Sequence, residues 1–275
     1  MTSTTGSMPH SPSQVVRRAA VITHGTPQTI GAALARLESV AREAGVELLT
    51  GPEEEGADLA VVLGGDGTIL RALTRFLGTG TPVIGVNFGR VGFLSSIARG
   101  ELEAGIARAF AGDYRVIELP TLEVEAGDGR AVAVNDLVVA SSVLGRMVQL
   151  EYAIGGEELG RVGCDGVICS TPSGSTAYNL SNGGPVLVWG LDAMAVTFAA
   201  PHSLHARPLV VGRDSDLIVW NRTVDVPVTV LIDGHRLVDV QPGGRVLARL
   251  GPERSLLATL PEVTFFSRYS HTFAS

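Results

Sequence analysis

Leu59-Ala60-Val61-Val62-Leu63-Gly64-Gly65-Asp66-Gly67-Thr68 is an unbroken apolar run that gives way to glycines around a single carboxylate. Five apolar residues in a row are too few for a helix and fit a strand buried on both faces. Directly afterwards Ile69, Leu70, Leu73, Phe76 and Leu77 recur at helical spacing. A strand that turns through glycines into a helix gathers free N–H groups and the positive end of a helix dipole, which together attract anions. Glycines can take positive φ and let a ligand approach the backbone. A carboxylate in such a turn would repel phosphate unless it served a proton or a metal. Taken alone the turn is weak evidence, and Asp66 as a plain helix N-cap, with Thr68 early in the helix, accounts for it well.

The surrounding segments extend the pattern. Ala19–Thr23 is a short apolar run, and Ile30, Leu34, Leu37, Val40 and Ala44 form a helical stripe closed by Gly45. Val46–Leu49 and Pro82–Val86 read as further strands, and Glu101–Phe110 as another helix. Strands alternating with helices predict an α/β domain with a parallel sheet over residues 18–115. From Tyr114 the texture changes to short β-rich runs, among them Leu137–Ala140, Val148–Ile154, Val167–Cys169, Val196–Ala199 and Val228–Ile232, separated by Gly, Asp, Asn and Pro. This predicts an all-β domain over 116–260. Residues 1–17, rich in Ser, Thr and Pro, are expected to be a disordered tail. Residues 261–275 form a Phe-bearing C-terminal segment, with packing back on the first domain as one expectation.

Composition narrows the function. The chain has 275 residues, 45% of them hydrophobic, and a net charge of −7, which argues against nucleic-acid or anionic-membrane partners. All 21 basic residues are arginine. Without lysine there is no P-loop lysine and no Schiff base, so phosphates must be met by backbone N–H groups, arginines or a metal. The two cysteines, Cys164 and Cys169, indicate neither a disulfide framework nor a metal site, and a reducing, cytoplasmic setting is expected. The apolar stretch 183–201 is interrupted by Gly190 and Asp192 and bracketed by prolines, so it reads as two buried strands or a strand and a short helix and not as a membrane span. His202 and His205 lack a third ligand nearby and are expected to be structural or to line a pocket. Trp189 and Trp220 are expected in the core.

A second block, running from Asp165 through Ser170-Thr171-Pro172-Ser173-Gly174-Ser175-Thr176-Ala177-Tyr178-Asn179-Leu180-Ser181, packs six hydroxyls and an aromatic ring around Gly174. Short hydroxyl side chains on such a loop suit phosphate or ribose oxygens, and Tyr178 suits a base. A solvated Ser/Thr loop is the plainer reading, but a loop of this length in a β domain usually has a task. No Gly-x-Ser-x-Gly elbow supports a serine hydrolase.

The first turn, Asn135-Asp136 and this long block, in that order, resemble the NAD kinase (ATP-NAD kinase) family. Gly85-Val-Asn87-Phe-Gly89-Arg-Val-Gly92-Phe93-Leu94 and Pro201-His-Ser-Leu-His-Ala-Arg207-Pro208 resemble two further blocks of that family, so the likeness runs from about residue 18 to 250. The Gly-Gly-Asp-Gly-Thr turn is shared with lipid kinases and 6-phosphofructokinases; the Ser/Thr/Tyr block is much more specific. The resemblance implies a two-domain enzyme with a nucleotide site in the cleft between the domains. It implies transfer of the γ-phosphoryl of ATP, or of polyphosphate, to the 2′-hydroxyl of the adenosine ribose of NAD. By that likeness Asp66 is the catalytic base, and Gly64, Gly65, Gly67 and Thr68 hold phosphate. NAD contacts would come from Asp66, Gly67, Arg71, Phe93, Asn135, Asp136, Arg146, Asp165, Thr176, Ala177, Tyr178, Ser181 and His235. No protein metal site is implied; a divalent cation, Mg²⁺, would be held largely by the nucleotide phosphates. A homo-oligomer, dimer or tetramer, is also implied.

Three positions depart from the family pattern. Asp136 stands where many members have glutamate, Arg90 replaces a common histidine, and Gly163 replaces a residue that is often basic, leaving its contact to Arg161 or lost. Two other functions share parts of the sequence. A lipid kinase would need a basic or apolar membrane-facing surface, of which this lysine-free acidic chain gives little sign. A non-catalytic NAD(P)-binding regulator would gain little from keeping Asp66.

Overall fold

The computed structural model describes residues 14–24, 27–51, 56–89 and 92–273. The greater part of the expected tail, residues 1–13, and Arg90 lie outside the described residues. The chain runs β1 (Arg18–Thr23), α1 (Pro27–Ala44), β2 (Glu47–Leu49), β3 (Leu59–Gly64), α2 (Asp66–Arg75), β4 (Val83–Asn87), β5 (Ile97–Ala98), α3 (Leu102–Phe110) and β6 (Arg115–Ala126). It continues through β7 (Gly129–Ala133), β8 (Asp136–Ser141), β9 (Val148–Ile154), β10 (Glu157–Cys164), β11 (Gly166–Ser170) and α4 (Tyr178–Ser181). The last elements are β12 (Ala193–Ala199), β13 (Leu209–Gly212), β14 (Leu217–Asn221), β15 (Val228–Ile232), β16 (His235–Val240), β17 (Arg245–Thr259) and α5 (Phe265–Phe273).

Two compact units result. The first comprises residues up to Glu118 together with Ser255–Ser275, and the second is Leu119–Arg254. In the first, β2, β1, β3 and β4 lie side by side, all parallel, and the end of β17 joins them by pairing Leu257 with Val83. Every residue of β3 is buried, which is why its sequence is a continuous apolar run and not an alternating one. The core gathers Val21, Leu37, Leu63, Ile84, Ile106, Phe110 and Ala258. Val16 is also buried and donates its N–H to the Phe110 carbonyl, so order begins before β1.

The second unit is antiparallel. One six-stranded sheet has the order β13-β12-β11-β8-β15-β16. A second layer sets β10, β9, β14 and β17 side by side, with the β6–β7 hairpin alongside β17. One apolar core takes residues from both layers, including Val139, Val167, Val196 and Val230 from the first and Leu150, Leu217 and Val219 from the second. Strands such as β15 alternate buried and half-buried residues, as one-sided burial requires. Of the stretch 183–201 only Ala193–Ala199 is strand. Trp189 is buried, but Trp220 lies half-exposed on β14 with the Arg222 guanidinium over its ring, so it is not a core residue.

Candidate active site

The sequence-selected residues fall into two groups, one in each unit. In the first, the apolar strand β3 ends at Gly64 and α2 starts at Asp66. Gly65, in extended conformation at φ −101° and ψ −177°, is the N-cap, and no side chain caps the helix. The plain N-cap reading of Asp66 is therefore set aside. Its half-buried carboxylate instead accepts the Phe93 N–H at 2.7 Å and the Leu94 N–H at 3.2 Å. The N–H groups of Asp66 and Gly67 open the helix and have no acceptor one turn back.

Glycine serves close packing here, not positive φ. None of Gly64, Gly65 and Gly67 has positive φ. A Cβ on Gly64 would lie 2.7 Å from the Thr68 side chain, and one on Gly92 would lie 2.2 Å from the Asp66 carboxylate. The glycines thus allow close approach of the groups that pack on them. Gly65 and Gly67 are open, with nothing within 4 Å of a notional Cβ. Arg71 projects from α2 and is exposed, and Phe93 is buried.

In the second unit, Asn135 and Asp136 lead into β8, and the carboxylate that organises them was missed in the sequence. Asp233, in the β15–β16 turn at φ 48°, accepts N–H groups from Val134 at 2.9 Å, Asn135 at 2.7 Å and Asp136 at 3.0 Å. Asp233 in turn donates its own N–H to the Asp136 carbonyl at 3.0 Å. The signal was present: an Asp-Gly pair between two β-runs marks a tight hairpin whose Asp tolerates the left-handed region. Asp136 is buried, and that burial, followed by the charge of Asp233, pushes its carboxyl up to about 7. Burial also raises Asp233, against the three N–H bonds that pull it down.

The long Ser/Thr loop mostly serves itself. Thr171 Oγ1 donates to the Val134 carbonyl at 2.6 Å, Ser173 Oγ to Asn135 Oδ1 at 2.9 Å, and Ser175 Oγ to the Pro172 carbonyl at 2.7 Å. Thr176 Oγ1 donates to the Ser173 carbonyl at 3.3 Å. Asn179 is fully buried and ties the loop to β12 by accepting from Thr197 Oγ1 at 2.7 Å. Gly174 lies so close to Asn135 that a Cβ would come within 2.1 Å of its carbonyl oxygen. These bonds bring Asn135, Asp136 and the loop residues Thr176 and Ala177 together, with Tyr178 and Ser181 exposed on α4 beyond them. Ser170 Oγ is buried without a partner; its residue lies opposite Asp136 in the β11–β8 register.

Of the remaining second-unit candidates, His235 lies at this end of β8, whereas Asp165 and Arg146 lie towards its other end, since Ser170 faces Asp136 and Gly166 faces Ala140 across the antiparallel β11–β8 pair. Asp165 is exposed between β10 and β11, and its backbone bonds to Ala199 and Ser141. His235 is exposed at the start of β16, two residues from Asp233. Arg146 is exposed and pairs with Asp225 at 3.0 Å, so a phosphate there would have to displace a carboxylate. Arg161 pairs with Glu151 at 3.1 Å, and the space beside Gly163 is filled by Gln149 and Met147. Among the described residues no three acidic, His or Cys side chains gather to hold a metal ion, and His202 and His205 are both exposed.

Comparison with known proteins matches both units. The family model for the ATP-NAD kinase N-terminal domain covers residues 26–114, and that for the ATP-NAD kinase C-terminal domain covers 134–260. The chain is 38% identical over 222 residues to an NAD kinase of Gemmatimonas aurantiaca, covering 78% of this chain and 76% of that protein. It is 40% identical over 222 residues to an NAD kinase of Leifsonia xyli, covering 78% and 73%. Among solved structures, an NAD kinase from Archaeoglobus fulgidus in complex with ATP superposes with a TM-score of 0.78 at 27% identity, covering 94% of this chain and 97% of that one. Yeast NADH kinase complexed with NADH shares the fold, with a TM-score of 0.82 at 24% identity over 99% of this chain and 92% of that one. With two family models matched over most of its length and relatives of this identity and coverage, the chain belongs to the ATP-NAD kinase family, the enzymes that phosphorylate NAD to NADP.

Proposed function

We propose that this chain transfers the γ-phosphoryl of ATP to the 2′-hydroxyl of the adenosine ribose of NAD, with Asp66 as the base that takes the hydroxyl proton. The observation that carries this reading is the Asp66 carboxylate, fixed by the N–H groups of Phe93 and Leu94 at the head of α2. A ribose hydroxyl is a poor nucleophile near neutral pH, and a positioned carboxylate accelerates its attack by roughly 10²–10⁴-fold. Gly64, Gly65 and Gly67 meet phosphate through the backbone, which needs no lysine, while the Thr68 N–H is bonded to the Gly65 carbonyl at 2.8 Å and shapes the turn. Asn135, Asp136, Asp165, Thr176, Ala177, Tyr178, Ser181 and His235 hold the dinucleotide, with Phe93, Arg71 and Arg146 contributing to its binding.

Phosphoryl transfer asks the protein chiefly to position reactants and offset charge. A divalent cation, Mg²⁺ in this reading, would neutralise the nucleotide phosphates. It would enter on the nucleotide, held largely by the phosphates. A cytoplasmic location is supported by the cysteine usage, with two cysteines and no disulfide framework, and a homo-oligomeric state, dimer or tetramer, by family likeness; light scattering tests the latter.

The experiment is NADP formation from NAD, ATP and Mg²⁺, with Asp66→Asn run in parallel and polyphosphate as a second donor. Wild-type turnover with ATP and a loss of at least about 10²-fold in kcat for Asp66→Asn are expected. Wild-type kcat in the variant would remove Asp66 from the role of base.

A further inference from the structure

Arg268, on α5, is a buried arginine that the reaction as described does not use. It is 6% exposed, and its guanidinium donates to the Phe93 carbonyl and, at 3.2 Å, to Ser96 Oγ. Burying a guanidinium is costly unless charge-assisted hydrogen bonds or a nearby anion compensate it. Desolvation lowers this group to about 10, and the charge of Asp66 acts in the opposite direction. The guanidinium and the Asp66 carboxylate therefore sense one another, although no direct hydrogen bond joins them among the bonds described.

One peptide unit connects the two. The carbonyl of Phe93 and the N–H of Leu94 belong to the same planar group. Its oxygen accepts from Arg268, and its N–H donates to Asp66 at 3.2 Å. The peptide dipole lies between a cation and an anion in the orientation that both favour, and hydrogen bonds in such a chain strengthen one another. The other contacts fix the same segment. The Phe93 ring packs on Phe265 at 5.9 Å and Phe273 at 5.5 Å, both from α5. Ser96 donates its N–H to the Gly85 carbonyl at 2.9 Å and its hydroxyl to the Ala258 carbonyl at 3.3 Å. The segment Phe93–Ser96 is thus held by β4, β17 and α5 while it presents two N–H groups to one carboxylate.

We propose that Arg268 is a positioning residue for the Asp66 carboxylate, acting through the Phe93–Leu94 peptide. The proposal rests on the reading of Asp66 as base. Without the guanidinium, the Phe93 carbonyl loses its charged donor and the peptide is free to rotate. The Leu94 N–H then no longer points at the carboxylate, and the base leaves its productive orientation. Such a defect belongs to the chemical step and not to the affinity for either substrate, because Arg268 is buried and acts on the carboxylate through the peptide.

The test is steady-state kinetics of Arg268→Gln, Arg268→Lys, Asp66→Asn and Ile106→Ala, well below the unfolding temperature of each. Ile106→Ala is a core variant of α3 that leaves Arg268 in place and controls for lost stability. Arg268→Gln is expected to lower kcat by about 10- to 100-fold, with KM for NAD and ATP changed less than about threefold. Arg268→Lys, which keeps a charged donor for the Phe93 carbonyl, is expected to recover part of that loss. If Arg268→Gln does not fold, Ser96→Ala removes the Arg268 bond to Ser96 more gently and should show the same split on a smaller scale. Should Asp66→Asn be inactive while Arg268→Gln, or its stand-in Ser96→Ala, matches Ile106→Ala in kcat, the positioning role is overturned and the base stands. Wild-type kcat in Asp66→Asn would overturn the base and with it this proposal.

Discussion

Asp233 and Asn135 are joined by a 2.7 Å hydrogen bond from the Asn135 N–H to the Asp233 carboxylate, the shortest of three that this carboxylate accepts from consecutive residues. Two residues nearly a hundred positions apart are thereby locked at the mouth of a β-strand. The side chains assigned to the dinucleotide, Asn135 and Asp136, take their directions from that lock.

Asp233→Ala removes the acceptor for all three N–H groups and puts a β-carbon without a local hydrogen bond at φ 48°. Each buried donor left unpaired costs ~1–3 kcal/mol, so a total loss of ~3 kcal/mol or more is expected. Asp233→Asn keeps one acceptor oxygen and tolerance for the left-handed region, and should fall between the two. Urea denaturation measures the order, and KM for NAD should rise in the same order.

Asp136 gives a pH dependence of definite sign. Its folded-state value of about 7 lies above the ordinary carboxylate value of 3.8. Below about pH 4 both folded and unfolded chains carry the proton, and the group does not affect stability. Between about pH 4 and pH 7 only the folded chain retains it, so stability falls as pH rises, by up to ~4 kcal/mol for a shift of this size. Above that range the loss is constant. Asp136→Asn, which keeps the shape without the charge, is expected to flatten this part of the curve and to be more stable than wild type at pH 8. Thermal melts of both proteins at pH 5 and pH 8 check it; equal slopes would contradict the assignment.

Gly65 and Gly92 make a contrasting pair. Gly65 has extended backbone and empty space around it, so Gly65→Ala should fold with wild-type stability. A rise in KM for ATP of about tenfold or more in that variant would then report phosphate approaching the backbone. In Gly92→Ala the new methyl meets the Asp66 carboxylate at 2.2 Å and must displace it. A displacement of about 1 Å at a reacting group costs on the order of 10²-fold in kcat. Equal kinetic profiles for the two variants would contradict this division of roles.

The sequence made some of this legible for clear physical reasons. A parallel strand covered on both faces must be apolar throughout, so Leu59–Leu63 could be read without its neighbours, and the helix behind Thr68 followed from its periodicity. Asp66 stood out because its charge was wrong for a phosphate turn. What stayed hidden depended on contacts distant in sequence. No pattern in the sequence foretells that Arg146 pairs with Asp225, or that the hydroxyls of Thr171, Ser173, Ser175 and Thr176 are spent on backbone and on Asn135. Arg268 appeared as one arginine among aromatic residues, because its partner carbonyl at Phe93 has no side-chain signature. The glycines were visible, but their reason was not: close packing against Thr68 and Asp66 takes a structure to see.

The parallel sheet of the first unit is finished by residues that follow the second unit in the chain. Leu257 adds the strand beside Val83, and Arg268 reaches the Phe93 carbonyl, only after the whole of Leu119–Arg254 has emerged. Domains commonly fold as they leave the ribosome, N-terminal first, but this one cannot complete itself in that order. A nascent chain carrying every residue of the Gly64–Thr68 turn still lacks the strand and helix that brace the loop beside it. Bracing of that loop is thereby delayed until the second unit has been made, and the second unit has the opportunity to fold first.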